Sequence, residues 1–412
     1  MSDVTIVGGG IIGVCTGIAL LGEGLSVELV DRGILTAGAS YGNCGLLAVG
    51  EVVPISKPGI LSKIPKWLLD PESPLFVRPR GILTQMPWLL RFLWSGRRGR
   101  VLEIADALAS LTRRAEDDYQ QLFEKTGIIN NLVRAQNIMA FNSKADYEDD
   151  QFSWNLRQRL GFKHQFLSKE ELLSLEPALG GPIKCGVLLE EWFQFSDPGL
   201  VQQRLTQFFV AQGGQIRTGS VERIEAHGNK AVAIHLGNGE KIPVQRLALC
   251  AGAWSRKLAR DLSVRVPLAA LQGYHHHVPN PGVKLNRPIL YANGGFVLTP
   301  MESGLRIAGT IEIAGIDPHP DYRRANIIAR KATQVLPGLD ISGGKQWMGP
   351  RPFMPDTLPV IDRAPHHDNV VFAFGHGQIG MTLGPTTAKI ASDLLIGRSP
   401  ELDLSPYRVT RF

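Results

Sequence analysis

The residues best suited to chemistry stand at the start of this 412-residue chain. The strand-like run Val4-Thr5-Ile6-Val7 enters Gly8-x-Gly10-x-x-Gly13, which leads directly into helix-like Val14-Cys15-Thr16-Gly17-Ile18-Ala19-Leu20-Leu21. A second strand-like run, Ser26-Val27-Glu28-Leu29-Val30, ends at Asp31 and Arg32. This is the spacing of a dinucleotide fingerprint, and its glycines have separate tasks. Gly8 permits the tight turn, Gly10 lets a pyrophosphate approach the backbone, and Gly13 lets helix pack on strand. The first helical N–H groups, at Ile11 and Ile12, then face the phosphates. Asp31 stands where a carboxylate accepts hydrogen bonds from ribose hydroxyls. A Gly-rich turn in an ordinary α/β unit would not need strand, helix, second strand and terminal acid together.

Two further glycine-bearing junctions follow at a distance. Leu247-Ala248-Leu249-Cys250 reads as a buried strand that feeds Ala251-Gly252-Ala253-Trp254-Ser255 and then a helix. Near the C-terminus, the strand 369–374 opens onto Gly375-His376-Gly377-Gln378-Ile379-Gly380, with a helix over 386–396. If all three junctions meet in one groove, they enclose a long, tightly held dinucleotide. The last would aim N–H donors and a helix dipole at negative charge. This convergence does not by itself separate FAD from NAD. The loop Thr36-Ala37-Gly38-Ala39-Ser40-Tyr41-Gly42-Asn43-Cys44-Gly45 is small enough to lie against a flat ligand, and Ser40 and Asn43 can hydrogen-bond it. His275-His276-His277 looks like a metal cluster, but neighbours on a strand point to opposite faces, so three in a row cannot reach one ion. No metal is expected.

The remaining elements must position these groups. The stretch 55–100 is broken by Pro58, Pro65, Pro71, Pro74, Pro79 and Pro87, carries Trp67, Trp88, Phe92 and Trp94, and closes on Arg97-Arg98-Gly99-Arg100. The spacing of Ile104, Leu108, Leu111 and Leu122 predicts one amphipathic helix over 101–125. Ser168-Lys169-Glu170-Glu171 is a capping box, and Asp197-Pro198 starts a helix over 199–212. Residues 215–236 alternate as strand, with Asn238-Gly239 a hairpin turn. Residues 271–313 read as antiparallel strands, and 326–336 as helix. The order implies an α/β fold: a Rossmann-like nucleotide-binding domain from 1–57, 166–262 and 344–412. It is interleaved with an α+β substrate domain on antiparallel sheet, from 58–165 and 263–343.

Composition sets outer bounds. The chain is long enough for two domains and a large core. Its net charge of +6 is mild, and the Lys and Arg are scattered with few aromatics among them, which argues against nucleic acid as a partner. Cys15, Cys44, Cys185 and Cys250 show no metal or disulfide spacing and fit thiols in a reducing compartment. The apolar run 4–21 lacks a basic leader and a cleavage site, so a cytoplasmic protein is expected.

Taken together, these motifs resemble the FAD-dependent amino-acid oxidase and dehydrogenase family of D-amino-acid oxidase fold, and within it the bacterial D-amino-acid dehydrogenases. Gly8 to Gly13 with Asp31 resembles the family's FAD fingerprint, and Ala39-Ser40-Tyr41-Gly42-Asn43-Cys44-Gly45 its flavin loop. Ala251-Gly252-Ala253-Trp254-Ser255 is similar to its A-G-A-W-S element. Trp347-Met348-Gly349-Pro350-Arg351-Pro352, Pro355-Asp356 and Leu358-Pro359-Val360-Ile361 are similar to its W-x-G-x-R-P and P-D-x-x-P pattern. Gly375-His376-Gly377 with Gly384-Pro385 matches its C-terminal loop. Gln272-Gly273-Tyr274 and Gly-Pro-Arg-Pro resemble dehydrogenases of D-hydroxyproline or D-proline. The chain departs from the family at Asp31, where Glu is commoner. It also departs at Phe296 and Gln378, where amine oxidases of glycine type carry tyrosine and arginine.

The resemblance implies noncovalent FAD held by Gly8, Gly10, Ile11, Ile12, Gly13, Asp31, Arg32, Ser40, Asn43, Gly45, Leu46, Ala251, Gly252, Trp254, Gly349, Arg351, His376, Gly377, Gln378, Ile379 and Gly380. It implies oxidation of a D-amino or cyclic imino acid, such as hydroxy-D-proline, by hydride transfer from Cα to flavin N5, giving an imine. Arg351 would grip the substrate carboxylate; the other reading is an arginine closing a Pro-rich turn. Tyr274 would hydrogen-bond the substrate or cover its ring, or else pack in the core, and His276 would line the pocket. His376 fits a flavin-loop residue better than a proton carrier. Phe296 is either an apolar wall or plain core. Electrons would leave to a quinone or a partner redox subunit, with 65–100 either touching the inner face of the cell membrane or packed as a loop on the core. The alternatives are a glycine- or sarcosine-type oxidase releasing peroxide, and a flavin-bearing subunit of an electron-transfer complex.

Overall fold

The computed structural model describes residues 2–33, 38–60, 64 and 69–412, with the backbone alone for 79–84. The apolar runs at the fingerprint become fully buried parallel strands. A six-stranded sheet runs in the order Gln215–Thr218, Val27–Asp31, Val4–Val7, Leu247–Leu249, Val370–Phe374, Val360–Arg363. All its neighbours are parallel except the last pair. Continuous Val, Ile and Leu suit strands covered on both faces. Helices Ile11–Gly22, Pro198–Ala211 and Gly384–Ile396 contribute to the core over this sheet. Asp197 caps the second of these, accepting from the Gly199 N–H at 2.8 Å.

A nine-stranded sheet forms the other half. Its order is Lys345–Phe353, Ala269–Val278, Gly304–Ile313, Phe296–Met301, Ile289–Tyr291, Asn137–Phe141, Cys185–Leu189, His164–Leu167, with Leu75–Val77 on the flank of Gly304–Ile313. Helix Arg323–Val335 buries Ile328, Ala329, Ala332 and Val335 against it. The capping box at Ser168 and the turn at Asn238-Gly239 form as the sequence predicts.

Three expectations need correction. First, the pieces interleave more finely than the expected boundaries. His164–Leu167, Cys185–Leu189 and Lys345–Phe353 pair into the large sheet, whereas Ile104, Leu108, Tyr119 and Phe123 join the core of the nucleotide half. Sequence order could not reveal this, because sheet membership depends on partners far along the chain. Second, residues 101–125 are two helices, Arg98–Thr112 and Ala115–Thr126, broken at Arg113-Arg114. One apolar periodicity spans both because both face the same core. Third, the Pro-rich stretch holds a long helix, Pro79–Ser95. Pro79 opens it where no N–H is needed, and Pro87 sits inside it. Thr36, Ala37, Pro65 and Trp67 lie outside the described residues.

Candidate functional site

The three glycine junctions converge. One groove is lined by Gly8, Gly10, Ile11, Ile12, Asp31, Arg32, Ser40, Asn43, Ala251, Gly252, Trp254, His376, Gly377 and Gly380. Parallel pairing of Val4–Val7 with Leu247–Leu249, and of the latter with Val370–Phe374, brings their C-terminal ends side by side. Ligands of open α/β sheets bind at that edge. Gly8 has φ +110°, and a Cβ there would overlap the Cys250 carbonyl. Gly13 lies behind the groove, its Cα against the Gly8 carbonyl, so its task is helix–strand packing. At Gly10, by contrast, only Ser40 Oγ lies near the missing side chain.

Polar groups around the groove are pre-arranged. Asp31 Oδ2 accepts from the Gly9 N–H at 2.7 Å and Oδ1 from the Gly33 N–H at 2.9 Å. Ser40 Oγ accepts from the Ile11 N–H at 3.0 Å, which leaves its own hydrogen to donate. Asn43 Oδ1 accepts from the Gly45 N–H at 2.7 Å, leaving its amide N–H groups. The Arg32 guanidinium stacks 3.4 Å over the Trp254 ring. Gln202, which the sequence reading missed, donates to the Gly9 carbonyl at 2.8 Å and keeps a buried Oε1 without a partner among the described residues. Gly219, Ser220 and Val221 line the groove and were also missed. His376 Nε2 lies 3.0 Å from Thr387 Oγ1, and burial depresses its pKa to about 3. It is therefore neutral near pH 7.

A second cavity opens beside the groove, sharing Ala39, Asn43 and Gly377 with it. Leu46, Gln378, Ile379 and Arg351 line it, together with Trp347, Tyr291, Phe296, Met139 and Leu290. Gly273 faces Gly349 across the ladder, and both leave room above the sheet. The Arg351 guanidinium lies over Gly273, and the Trp347 ring over Gly349 and Gly42. A bulge inserts Thr310 into Gly304–Ile313 opposite Gly273 and Tyr274; Thr310 takes φ +62° and its carbonyl accepts from Arg351 Nη1 at 3.1 Å. Such a strained, bulged residue re-aims a group beside a site. Among the described residues no carboxylate pairs with Arg351, and burial works against its charge.

Several expected residues fall elsewhere. Tyr274 and His276 line neither cavity. The Tyr274 hydroxyl donates to the fully buried Glu312, which also pairs with Arg78 at 2.5 Å, and His276 Nε2 lies 3.4 Å from the Ile341 carbonyl. Strand alternation instead turns His275 inward, where it stacks on Trp347 at 5.0 Å. Gly349 and Gly45 line neither cavity and act by making room. Phe296 is both wall and core, and it meets Tyr291 edge-on at 5.3 Å. Arg306 was overlooked: it is buried and donates to the Tyr41 and Asn43 carbonyls, fixing the small-residue loop. Its only sequence signal is an arginine set between the apolar Leu305 and Ile307 of its strand.

Comparison with known proteins decides what this architecture is. The profile described as FAD dependent oxidoreductase (DAO) matches residues 3–394. The chain belongs to the FAD dependent oxidoreductase (DAO) family. It is similar to a D-amino-acid oxidase of Bradyrhizobium diazoefficiens, 35% identical over 99% of this chain and 98% of that protein. Its fold is similar to that of glycine oxidase from Geobacillus kaustophilus, with TM-score 0.74, 22% identity and coverage of 100% and 99%. It is also similar to L-proline dehydrogenase from P. horikoshii, with TM-score 0.73, 15% identity and coverage of 100% and 97%. The chain is thus an FAD-dependent oxidoreductase. The groove suits FAD: the backbone is open at Gly10, the unpartnered Gln202 Oε1 lines it, and a helix N-terminus stands at its base.

Proposed function

We propose that this DAO-family enzyme oxidises a D-amino acid, with a cyclic imino acid such as hydroxy-D-proline or D-proline as the preferred class, to the corresponding imine. The observation that carries this reading is Arg351, a guanidinium without a carboxylate partner among the described residues, in a largely apolar cavity that joins the nucleotide groove. Bound FAD supplies a two-electron acceptor for the hydrogen on the substrate Cα. The residues of the chain supply orientation. Arg351 spends one N–H on Thr310 and presents the others to a carboxylate in fork geometry. Tyr291, Phe296 and Trp347 form walls that fit a ring and exclude water. A carboxylate pinned at one point and a ring held at the walls fix which Cα face is presented. The name of the Bradyrhizobium relative supports the D-configuration. An anaerobic screen of D- and L-amino acids for loss of flavin absorbance tests the reading; response to L-substrates alone overturns the stereochemical part.

The electron acceptor is read as a species other than oxygen, reached at an anionic membrane surface from the cytoplasmic side. Helix Pro79–Ser95 supports this. Met86, Leu90 and Trp94 recur on its outer face at four-residue steps and are exposed. Arg91, Arg97 and Arg98 stand exposed among them, with Arg97 stacked on the Trp94 ring at 3.2 Å. An apolar stripe with guanidinium flanks matches anionic lipid. On the inner face, Trp88 Nε1 donates to the Phe353 carbonyl at 3.2 Å, and the Phe353 ring packs under Gly377. The stripe is therefore close to the nucleotide loop. Among the described residues no helix is long and apolar enough to cross a membrane. The oxidase name of the Bradyrhizobium protein favours oxygen as the second reading, which peroxide release in air would support.

A further inference from the structure

We propose that Glu51 reads the end of the substrate remote from Arg351, so that the enzyme selects substrates whose ring or side chain carries a hydrogen-bond donor, hydroxyl or ammonium. This rests on the substrate reading above. Glu51 and Arg351 line the same cavity, whose apolar walls include Met139, Leu290 and Val297. The two have separate partners: Arg351 donates to the Thr310 carbonyl, whereas Glu51 faces Arg157 and Gln378.

Four charged side chains gather at the Glu51 end: Glu51, Lys57, Asp150 and Arg157. Their pairing is unequal. Lys57 Nζ lies 2.6 Å from both Asp150 oxygens and 2.7 Å from Ser153 Oγ, so that pair is satisfied. Arg157 Nε donates to the Gly50 carbonyl at 3.2 Å. Among the described residues the Glu51 carboxylate has only long contacts, 3.5 Å to Arg157 Nη2 and 3.3 Å to Gln378 Nε2. Charge-assisted hydrogen bonds normally close to about 2.7–2.9 Å. Burial also pushes the Glu51 carboxyl up from its usual range. A half-buried carboxylate held this loosely has acceptor capacity left for a ligand, and keeping it costs stability unless one arrives. Gln378, on the loop that carries Gly377, ties this acceptor to the nucleotide side of the cavity. A site built to bond a donor rejects the analogue without it far more strongly than a site of shape alone.

The test uses holoenzyme and three unreactive carboxylates: cyclohexanecarboxylate and its cis-4-hydroxy and cis-4-amino derivatives. Binding is read from the shift of flavin absorption. The wild type should bind the hydroxy derivative, the amino derivative or both about tenfold more tightly than the parent acid. Glu51→Gln, or Glu51→Asp should the first fail to fold, should bring the preference to within about twofold. A gain confined to the hydroxy compound assigns a neutral donor, and one confined to the amino compound a cationic donor. Equal wild-type affinities for all three, or a preference that survives in the variants, overturn the proposal. Arg351→Met separates it from the underlying reading. Loss of all three ligands supports the carboxylate anchor, and undiminished binding of cyclohexanecarboxylate removes the anchor while leaving the Glu51 comparison legible.

Discussion

The guanidinium of Arg351 occupies the space that a side chain at Gly273 would fill. The two residues lie on adjacent strands, Arg351 two places along from Gly349, which is the register partner of Gly273. The absent side chain is thus as much a part of the anchor as the charge above it. Gly273→Ala should leave the fold and bound FAD in place, because only the tip of a long side chain must move. It should lower kcat/KM for the best amino-acid substrate by about tenfold or more, since a misplacement near 1 Å is that costly. Full activity in Gly273→Ala would show that the guanidinium position does not matter.

Arg351→Lys keeps the charge and removes the fork. Expected is a loss of about 3 kcal/mol in transition-state binding, roughly a hundredfold in kcat/KM. Steady-state kinetics on flavin-replete protein would measure it. Near-normal turnover would return Arg351 to the role of a turn residue.

The fingerprint glycines should separate folding from cofactor binding. Gly13→Ala forces a methyl into the Gly8 carbonyl and should lower the Tm of protein stripped of FAD. Among the described residues a methyl at Gly10 meets only Ser40 Oγ, so stripped Gly10→Ala should melt close to the wild type yet take up FAD far more weakly. Equal effects of the two on both readouts would contradict the division of labour.

His376 gives a pH signature. Its folded pKa of about 3 lies below the ordinary value of 6.5. Between those values the unfolded chain binds a proton that the native protein does not, so stability rises with pH and is lost on acidification. The contribution is at most one proton, about 1.4 kcal/mol per pH unit. Melting curves at saturating FAD from pH 4 to 7 should be flatter for His376→Gln than for wild type. An unchanged slope would place the acid sensitivity elsewhere.

The stripe on Pro79–Ser95 predicts flotation with vesicles containing phosphatidylglycerol, and weaker flotation with phosphatidylcholine alone. Leu90→Ser with Trp94→Ser should abolish it, while Arg97→Glu with Arg98→Glu should remove the dependence on anionic lipid. Partitioning that ignores all four changes would dismiss the helix as a membrane surface.

Local chemistry made the nucleotide half readable from the sequence alone. Gly8, Gly10 and Gly13 with Asp31 declare a strand–turn–helix, since tight turns and close backbone approach need glycine at fixed spacing. The capping box at Ser168 and the Asp197-Pro198 helix start are likewise written in adjacent residues. What lay beyond reach was pairing over distance. The choice between His275 and His276 rests on the parity of their own strand, and the meeting of Tyr274 with Glu312 on the extra residue Thr310 in the neighbouring one. Glu51, Gln202 and Arg306 carry no motif; they acquire meaning only where a cavity wall or a buried carbonyl reaches them. Motifs encode the backbone that a cofactor needs, whereas the substrate cavity is assembled from side chains whose neighbours only the tertiary structure supplies.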